Sequence, residues 1–292
     1  MRVVSLVPSA TEIIYMLGAG DEVVGVTYAC DTPPEARMKD VVVKPIYEMD
    51  GLSEAEIDRV VSGAYARGES LYRVDMERIR SLRPDLIVAQ SVCDVCAANT
   101  RDFSEDFWKI ARVIQVGPRG VEEILADILT LGEGLGRYRE ATELVDSIRQ
   151  RIHRVAEKSK PLGRRRVFFM EWLDPPFCSG HWVPELVELA GGLDLGLKGA
   201  HSRRVSEREI AEHRPEIIIA GPCGFNLEKA YSDARVLRKL WWAAEAMVYA
   251  VDAGRYFSRH GPGIAEAVEI LAEIIHPETF RGIAPEKTYR LV

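Results

Sequence analysis

Short, nearly unbroken apolar runs recur along the chain and alternate with stretches in which apolar residues return every three or four positions. Seven runs read as strands: RVVSLV (2–7), EVVGVT (22–27), DLIVAQ (85–90), RVIQVG (112–117), RVFFME (166–171), EIIIAG (216–221) and MVYAVD (247–252). Their continuity predicts strands buried on both faces, as in parallel sheets covered by helices. Helical patterns lie between them. SATEIIYMLGAG (9–20) offers Ser9 as an N-cap, Glu12 at the capping-box position and a glycine stop. VDMERIRSLRPD (74–85) predicts a helix that stops ahead of Pro84, because proline pushes its predecessor out of helical backbone.

From Arg119 to Lys160 the strand pattern lapses and only helical periodicity remains. Ala141, Leu144, Val145, Ile148, Ile152 and Val155 fall on one face. A helix from Arg137 to Ser159 would run roughly 34 Å at the usual rise per residue. The predicted fold class is α/β, with two lobes of mainly parallel sheet joined by one long α-helix. The N-terminal lobe is expected over residues 1–118, a helical connector over 119–160 and the C-terminal lobe over 161–292.

Composition narrows the classes. A chain of 292 residues can build two domains, and 47% hydrophobic with 28% charged residues is the profile of a globular protein. The net charge of −7, from 38 basic and 45 acidic residues, argues against a nucleic-acid partner, which requires a surplus of Lys and Arg. The basic run Gly163 to Val167 precedes an apolar strand and reads as a solvated linker end. No segment approaches the ~20 apolar residues of a membrane span, so no membrane insertion is expected. The N-terminal apolar run is shorter than the ~7–15 residues of a secretory core. As written the chain reads as cytoplasmic, or as periplasmic or extracellular if a longer precursor was trimmed. Five scattered cysteines read as reduced thiols and not as a disulfide framework.

Ligands of open parallel sheets bind outside the carboxyl ends of the strands. Cys30, Cys93, Cys96, Cys178 and Cys223 all follow predicted strands, which predicts thiols facing a shared cleft, although a lone cysteine is more often buried and inert. A single CxxC with no second couple does not make a closed zinc knuckle. A thioredoxin-like pair wants a helix that CDVCAANTRDF does not offer. Two readings stay open: a metal site drawn from Cys93, Cys96, Cys178, His181 and Cys223, or thiols that only line a pocket. The same predicted rim carries Tyr28, Trp172, Phe177, Trp182, Phe225, Tyr256, Phe257 and His260 in Gly- and Pro-rich loops. Aromatics in such loops suit a large, flat, mostly apolar ligand. His153, His213 and His276 read as structural; of the loop histidines His181, His201 and His260, the first and last are the favoured candidates. Ser9, after Pro8, stands where a helix N-terminus offers free N–H groups to an acceptor or simply to its own cap. GxxxxGK[ST], HExxH and GxSxG are absent from the sequence.

RVVSLVPSATEIIYMLGAGDEVVGVT, MERIRSLRPDLIVA, GLGRYREATELVDSIRQRI and GRYFSRHGPGIAEAVEILAEIIHPETF together resemble the substrate-binding proteins of ABC importers for cobalamin and ferric siderophores. The resemblance runs in order over nearly the whole chain. It implies two Rossmann-like lobes joined by a rigid helix, with a ligand cleft between the lobes. The opening stretch with Pro8 and Ser9 is most like the cobalamin branch, which implies a corrinoid held by Tyr28, Trp172, Trp182 and Phe257. The cysteine set and the missing export signal depart from the family pattern. The leading expectation is thus a non-catalytic binding protein for a corrinoid (cobalamin-like) or a related metal chelate, with a cysteine or histidine on cobalt and an ABC importer as partner. Ferric siderophores want hard basic contacts, and these loops offer only Arg203, Arg204, Arg255 and Arg259. The alternative is a cytoplasmic enzyme, or a metal or iron–sulfur protein, using Cys93, Cys96, Cys178 and Cys223.

Overall fold

The computed structural model describes residues 1–92, 103 and 105–292. The chain forms two compact units, one of Met1–Pro118 with Glu122–Asp146, the other of Arg119–Val121 with Ser147–Val292. The first holds β1 (Val3–Ser5), α1 (Pro8–Met16), β2 (Val23–Thr27), β3 (Asp40–Pro45), α2 (Glu54–Ala66), β4 (Tyr72–Val74), α3 (Met76–Leu82), β5 (Leu86–Gln90) and β6 (Arg112–Val116). Its sheet runs in the order β4-β3-β2-β1-β5-β6 and is parallel except where β4 meets β3. All five residues of β5 are buried, as a strand covered on both faces requires. Val4, Leu6, Val42, Ile79, Ile87 and Phe107 form a core on this sheet.

Two helices follow, α4 (Val121–Leu135) and α5 (Tyr138–Ser159), broken by Gly136 at φ +67°, a backbone conformation that favours glycine. On α5, Ala141, Val145, Ile148, Ile152 and Val155 are buried, while Leu144 is half-buried, so the predicted apolar stripe faces protein.

The second unit holds β7 (Arg165–Trp172), β8 (Phe177–Cys178), α6 (Val183–Leu189), β9 (Gly192–Asp194), β10 (Arg203–Arg204), α7 (Glu207–His213), β11 (Ile217–Ala220), α8 (Leu227–Ala234), β12 (Met247–Val251), α9 (Ala253–Tyr256), α10 (Ile264–Ile275), α11 (Pro277–Phe280) and β13 (Tyr289–Leu291). Its sheet runs β10-β8-β7-β11-β12-β13, with β9 also pairing with β7. The central pairs β7–β11 and β11–β12 are parallel; β8, β10 and β13 join antiparallel. Phe168, Met170, Ile218, Ala220, Val248 and Trp242 form its core. Within this unit Arg151 on α5 reaches Glu269 through Nε and Nη2 at 3.0 and 2.6 Å, and Glu266 through Nη1 at 2.6 Å, both carboxylates being on α10. The basic run resolves differently from a linker end: Arg165 and Arg166 open β7 and pair with Glu216.

All seven predicted strands form, and the fold is α/β with two lobes of mainly parallel sheet. One helix start is corrected. The N-cap of α1 is Val7, Pro8 takes the first turn, and Ser9 is buried inside the helix instead of standing at its N-cap. Proline fits the first helical turn because its missing N–H would be unpaired there anyway.

Candidate functional site

Among the described residues, a group of chemically capable side chains lies in the second unit, where the chain leaves β7, turns through β8 and enters α6. Three anchors shape this turn. The Ser179 N–H donates to the Phe169 carbonyl at 3.0 Å. The Ser179 hydroxyl donates to the Asp194 carboxylate, which also accepts from the Phe169 N–H at 3.0 Å. The Gly180 N–H donates to Glu171 Oε1 at 2.9 Å. Burial raises the Asp194 carboxyl above its usual range, against the hydrogen bonds that it accepts.

Gly180 also meets the 200–202 segment closely. A Cβ there would stand 2.2 Å from the Ser202 nitrogen and 2.7 Å from the His201 carbonyl carbon. This approach brings the next residue against the same segment. The His181 N–H donates to the Ala200 carbonyl at 2.6 Å, and its own carbonyl accepts from the Gly199 N–H at 2.8 Å. His181 sits at φ +53°, unusual for a residue with a side chain. Its Nε2 lies 3.1 Å from His201 Nδ1, with the two rings nearly perpendicular at 89°. Burial first, and the neighbouring His201 second, lower the His181 pKa from 6.5 to about 4.

Trp182 caps the start of α6 and is buried; its ring lies 5.9 Å from His181 and 5.8 Å from His260. Its indole N–H has no hydrogen-bond partner among the described residues. His260 is buried too, and desolvation lowers its pKa to about 4. Nearby on the sheet, Trp172 ends β7 and Phe225 follows β11. Their half-buried rings are 5.5 Å apart and tilted by 60°. Lys229 Nζ lies 4.7 Å over the Phe225 ring.

The remaining sequence candidates distribute as follows. Phe257 is buried 4.9 Å from Phe169, and so belongs to packing behind the rim. Phe177 is half-buried under the Arg204 guanidinium, 5.7 Å away. In the first unit Tyr28 is exposed beside Tyr72, and Pro8 is half-buried. The expectation of five thiols on open loops is corrected for two of them. Cys30 is buried, with Sγ 3.1 Å from the Thr11 hydroxyl and 3.4 Å from the Thr27 nitrogen. Cys178 is not in a loop but in β8, within the apolar core, where desolvation raises its thiol pKa. Cys223 is half-buried, and Cys93 and Cys96 lie outside the described residues. Of the proposed metal set only Cys178, His181 and Cys223 are among the described residues, and among those residues no three His, Cys, Asp or Glu side chains are placed to hold a metal ion. Sequence reasoning passed over His201, because only the close packing around Gly180 reveals its position against His181.

Comparison with known proteins adds the family. The family model for the "Periplasmic binding protein" matches residues 3–246. The chain is 26% identical over 290 residues to an uncharacterized ABC transporter substrate-binding lipoprotein, YvrC, of Bacillus subtilis, covering 96% of this chain and 81% of the relative. Among solved structures, the periplasmic vitamin B12 binding protein BtuF of Vibrio cholerae aligns with a TM-score of 0.70 at 22% identity, over 94% of this chain and 96% of the other. A periplasmic heme-binding protein from Pseudomonas aeruginosa aligns with a TM-score of 0.69 at 17% identity, over 95% and 93%. These two likenesses show the fold. None of these relatives supports the cytoplasmic expectation, since they are described as a lipoprotein and as periplasmic proteins. No helix among the described residues is long and apolar enough to cross a membrane. With its family model matched over most of its length, the chain belongs to the periplasmic binding protein family.

Proposed function

We propose that the protein is a non-catalytic binding protein that carries a metal-bearing tetrapyrrole, a corrinoid of the cobalamin type, to an ABC importer. The observation that carries the reading is the Trp172–Phe225 pair. Two half-buried aromatic rings stand at the carboxyl ends of adjacent parallel strands, where such sheets bind their ligands. Tilted rings give a planar macrocycle broad apolar contact, and the Lys229 ammonium beside them suits its carboxylate or amide rim. The vitamin B12 and heme binders among the structural relatives support a tetrapyrrole ligand. The lipoprotein and periplasmic relatives support a working place outside the cytoplasm.

The test is a visible-absorbance titration of the reduced, metal-free protein with hydroxocobalamin, and in parallel with hemin. A saturable shift at one equivalent of hydroxocobalamin is expected, weakened about tenfold or more in Trp172→Ala or Phe225→Ala, which is the scale of losing an aromatic anchor of about 2 kcal/mol. A shift with hemin alone would assign the ligand to heme. No shift with either would overturn the reading.

A further inference from the structure

The Trp172–Phe225 pair that carries the corrinoid reading leaves His181 and His201 unused, and the geometry of these two is specific. We propose that His181 Nε2 and His201 Nδ1 form a two-nitrogen clamp for a divalent transition-metal cation with two adjacent coordination positions open. Two imidazole nitrogens bound at ~2.1 Å to one metal, at a right angle, stand about 3 Å apart. The observed separation is 3.1 Å. Imidazole suits nickel, copper and zinc alike.

The clamp is built before any cation arrives. Reciprocal backbone hydrogen bonds fix His181 to the 199–200 segment, and Gly180 allows that segment to lie against it at less than the distance any side chain would leave. The left-handed backbone at His181 is an outlier that close packing sustains, and outliers of this kind gather at ligand sites. His201 is exposed, so a hydrated ion can reach the pair from solvent. In the ion-free state one of the two facing nitrogens donates its N–H and the other accepts that hydrogen bond with its lone pair. Binding needs both lone pairs, so that proton moves through water to the far nitrogen of its own ring, and neutral rings release none. No third His, Cys, Asp or Glu among the described residues completes a metal site here. The remaining positions therefore belong to water or to an open-chain chelate that travels with the metal.

This goes beyond the corrinoid reading. A closed macrocycle fills four equatorial positions and leaves one axial position on each face, so two nitrogens 3.1 Å apart on the same side cannot both bind its metal. The two sources of a suitable cation are a bare ion and a partly chelated one.

The experiment is calorimetric titration of the full chain carrying Cys93→Ser and Cys96→Ser, which removes two competing thiols, with nickel(II) sulfate and with nickel(II) nitrilotriacetate. One equivalent should bind, and His181→Gln or His201→Gln should each weaken it about tenfold or more. His201 is exposed, so the His201→Gln variant keeps its fold and is decisive. Its circular dichroism and its hydroxocobalamin titration should match those of the parent. Binding of the bare ion assigns that source; binding of the nitrilotriacetate complex alone assigns a chelate. Absence of nickel binding in the parent, or undiminished binding in His201→Gln, would overturn the clamp. So would a parallel loss of hydroxocobalamin binding in His201→Gln, because the pair would then serve the corrinoid.

Discussion

Among the described residues at the carboxyl ends of β1 and β2, one group of small polar side chains is turned inward. Thr11 Oγ1 lies 2.8 Å from Ser5 Oγ and 3.1 Å from Cys30 Sγ, and all three residues are buried together with Thr27. At the carboxyl ends of the second unit's parallel strands β7 and β11 stand Trp172 and Phe225, both half-buried, and beyond the antiparallel β8 come His181, half-buried, and His201, exposed. Trp172 and Phe225 share the topological place of the inward group, and the chemistry is opposite. Hydroxyls and thiols are small enough to satisfy each other inside the packing, while Tyr28 next to them stands exposed. The larger rings of the second unit divide: Trp182, Phe257 and His260 are buried, while Trp172, Phe225 and His181 stay half-buried and His201 is exposed. The two places thus differ in side-chain volume as well as in residue type.

The comparison can be broken most sharply at Gly180. Gly180→Ala drives a methyl against backbone that cannot step aside, so it should cost the second unit about 4 kcal/mol or more and separate His181 from His201. Chemical denaturation should show this as a large fall in midpoint. A fall of less than about 1 kcal/mol would mean that the 199–202 segment is held by other contacts.

Acid should come next in size and act on the second unit. His181 and His260 have folded pKa values near 4 against a usual 6.5. Above pH 6.5 both are neutral whether folded or unfolded, and contribute nothing. Between pH 6.5 and 4 the unfolded chain takes up protons that the folded one refuses, so stability falls, and below pH 4 the loss levels off. For His260, which is almost wholly buried, the loss amounts to about 3 kcal/mol. Denaturation at pH 7 and pH 4 should show this slope in the parent and a shallower one in His260→Gln. Equal slopes in the two proteins would refute the assignment.

Thr11→Val is the smallest effect and probes the first unit. It removes a hydroxyl that Ser5 and Cys30 share, and should cost about 1 kcal/mol with no change in any ligand titration. A change in hydroxocobalamin binding would show that this inward network is not as closed as its geometry implies.

The long elements were legible in the sequence, each for a local reason. β5 and β11 read as strands because a strand buried on both faces must be apolar at every position. The stripe on α5 was visible because 22 residues repeat the helical period six times. Short elements left no such trace. β8 and β10 have two residues each and exist only through pairing with their neighbours, so Cys178 looked like a loop residue and is a core one. Ser9 failed as a cap for a different reason. Pro8 can start a helix without any capping side chain, which moves the start one residue ahead of the serine.

What the sequence determined by itself was the alternation of apolar strands and amphipathic helices, the class of fold that follows from it, and the family likeness. Those properties reside in neighbouring residues and in the requirement to bury one face or two. What only the tertiary structure decided was which candidates meet. Cys30 and Cys178 went inward, Phe257 packed behind Phe169, and His201 came to within 3.1 Å of a residue 20 positions earlier. Distance along the chain does not encode such meetings. They depend on how closely two backbone segments can approach, and here a glycine with no side chain sets that distance.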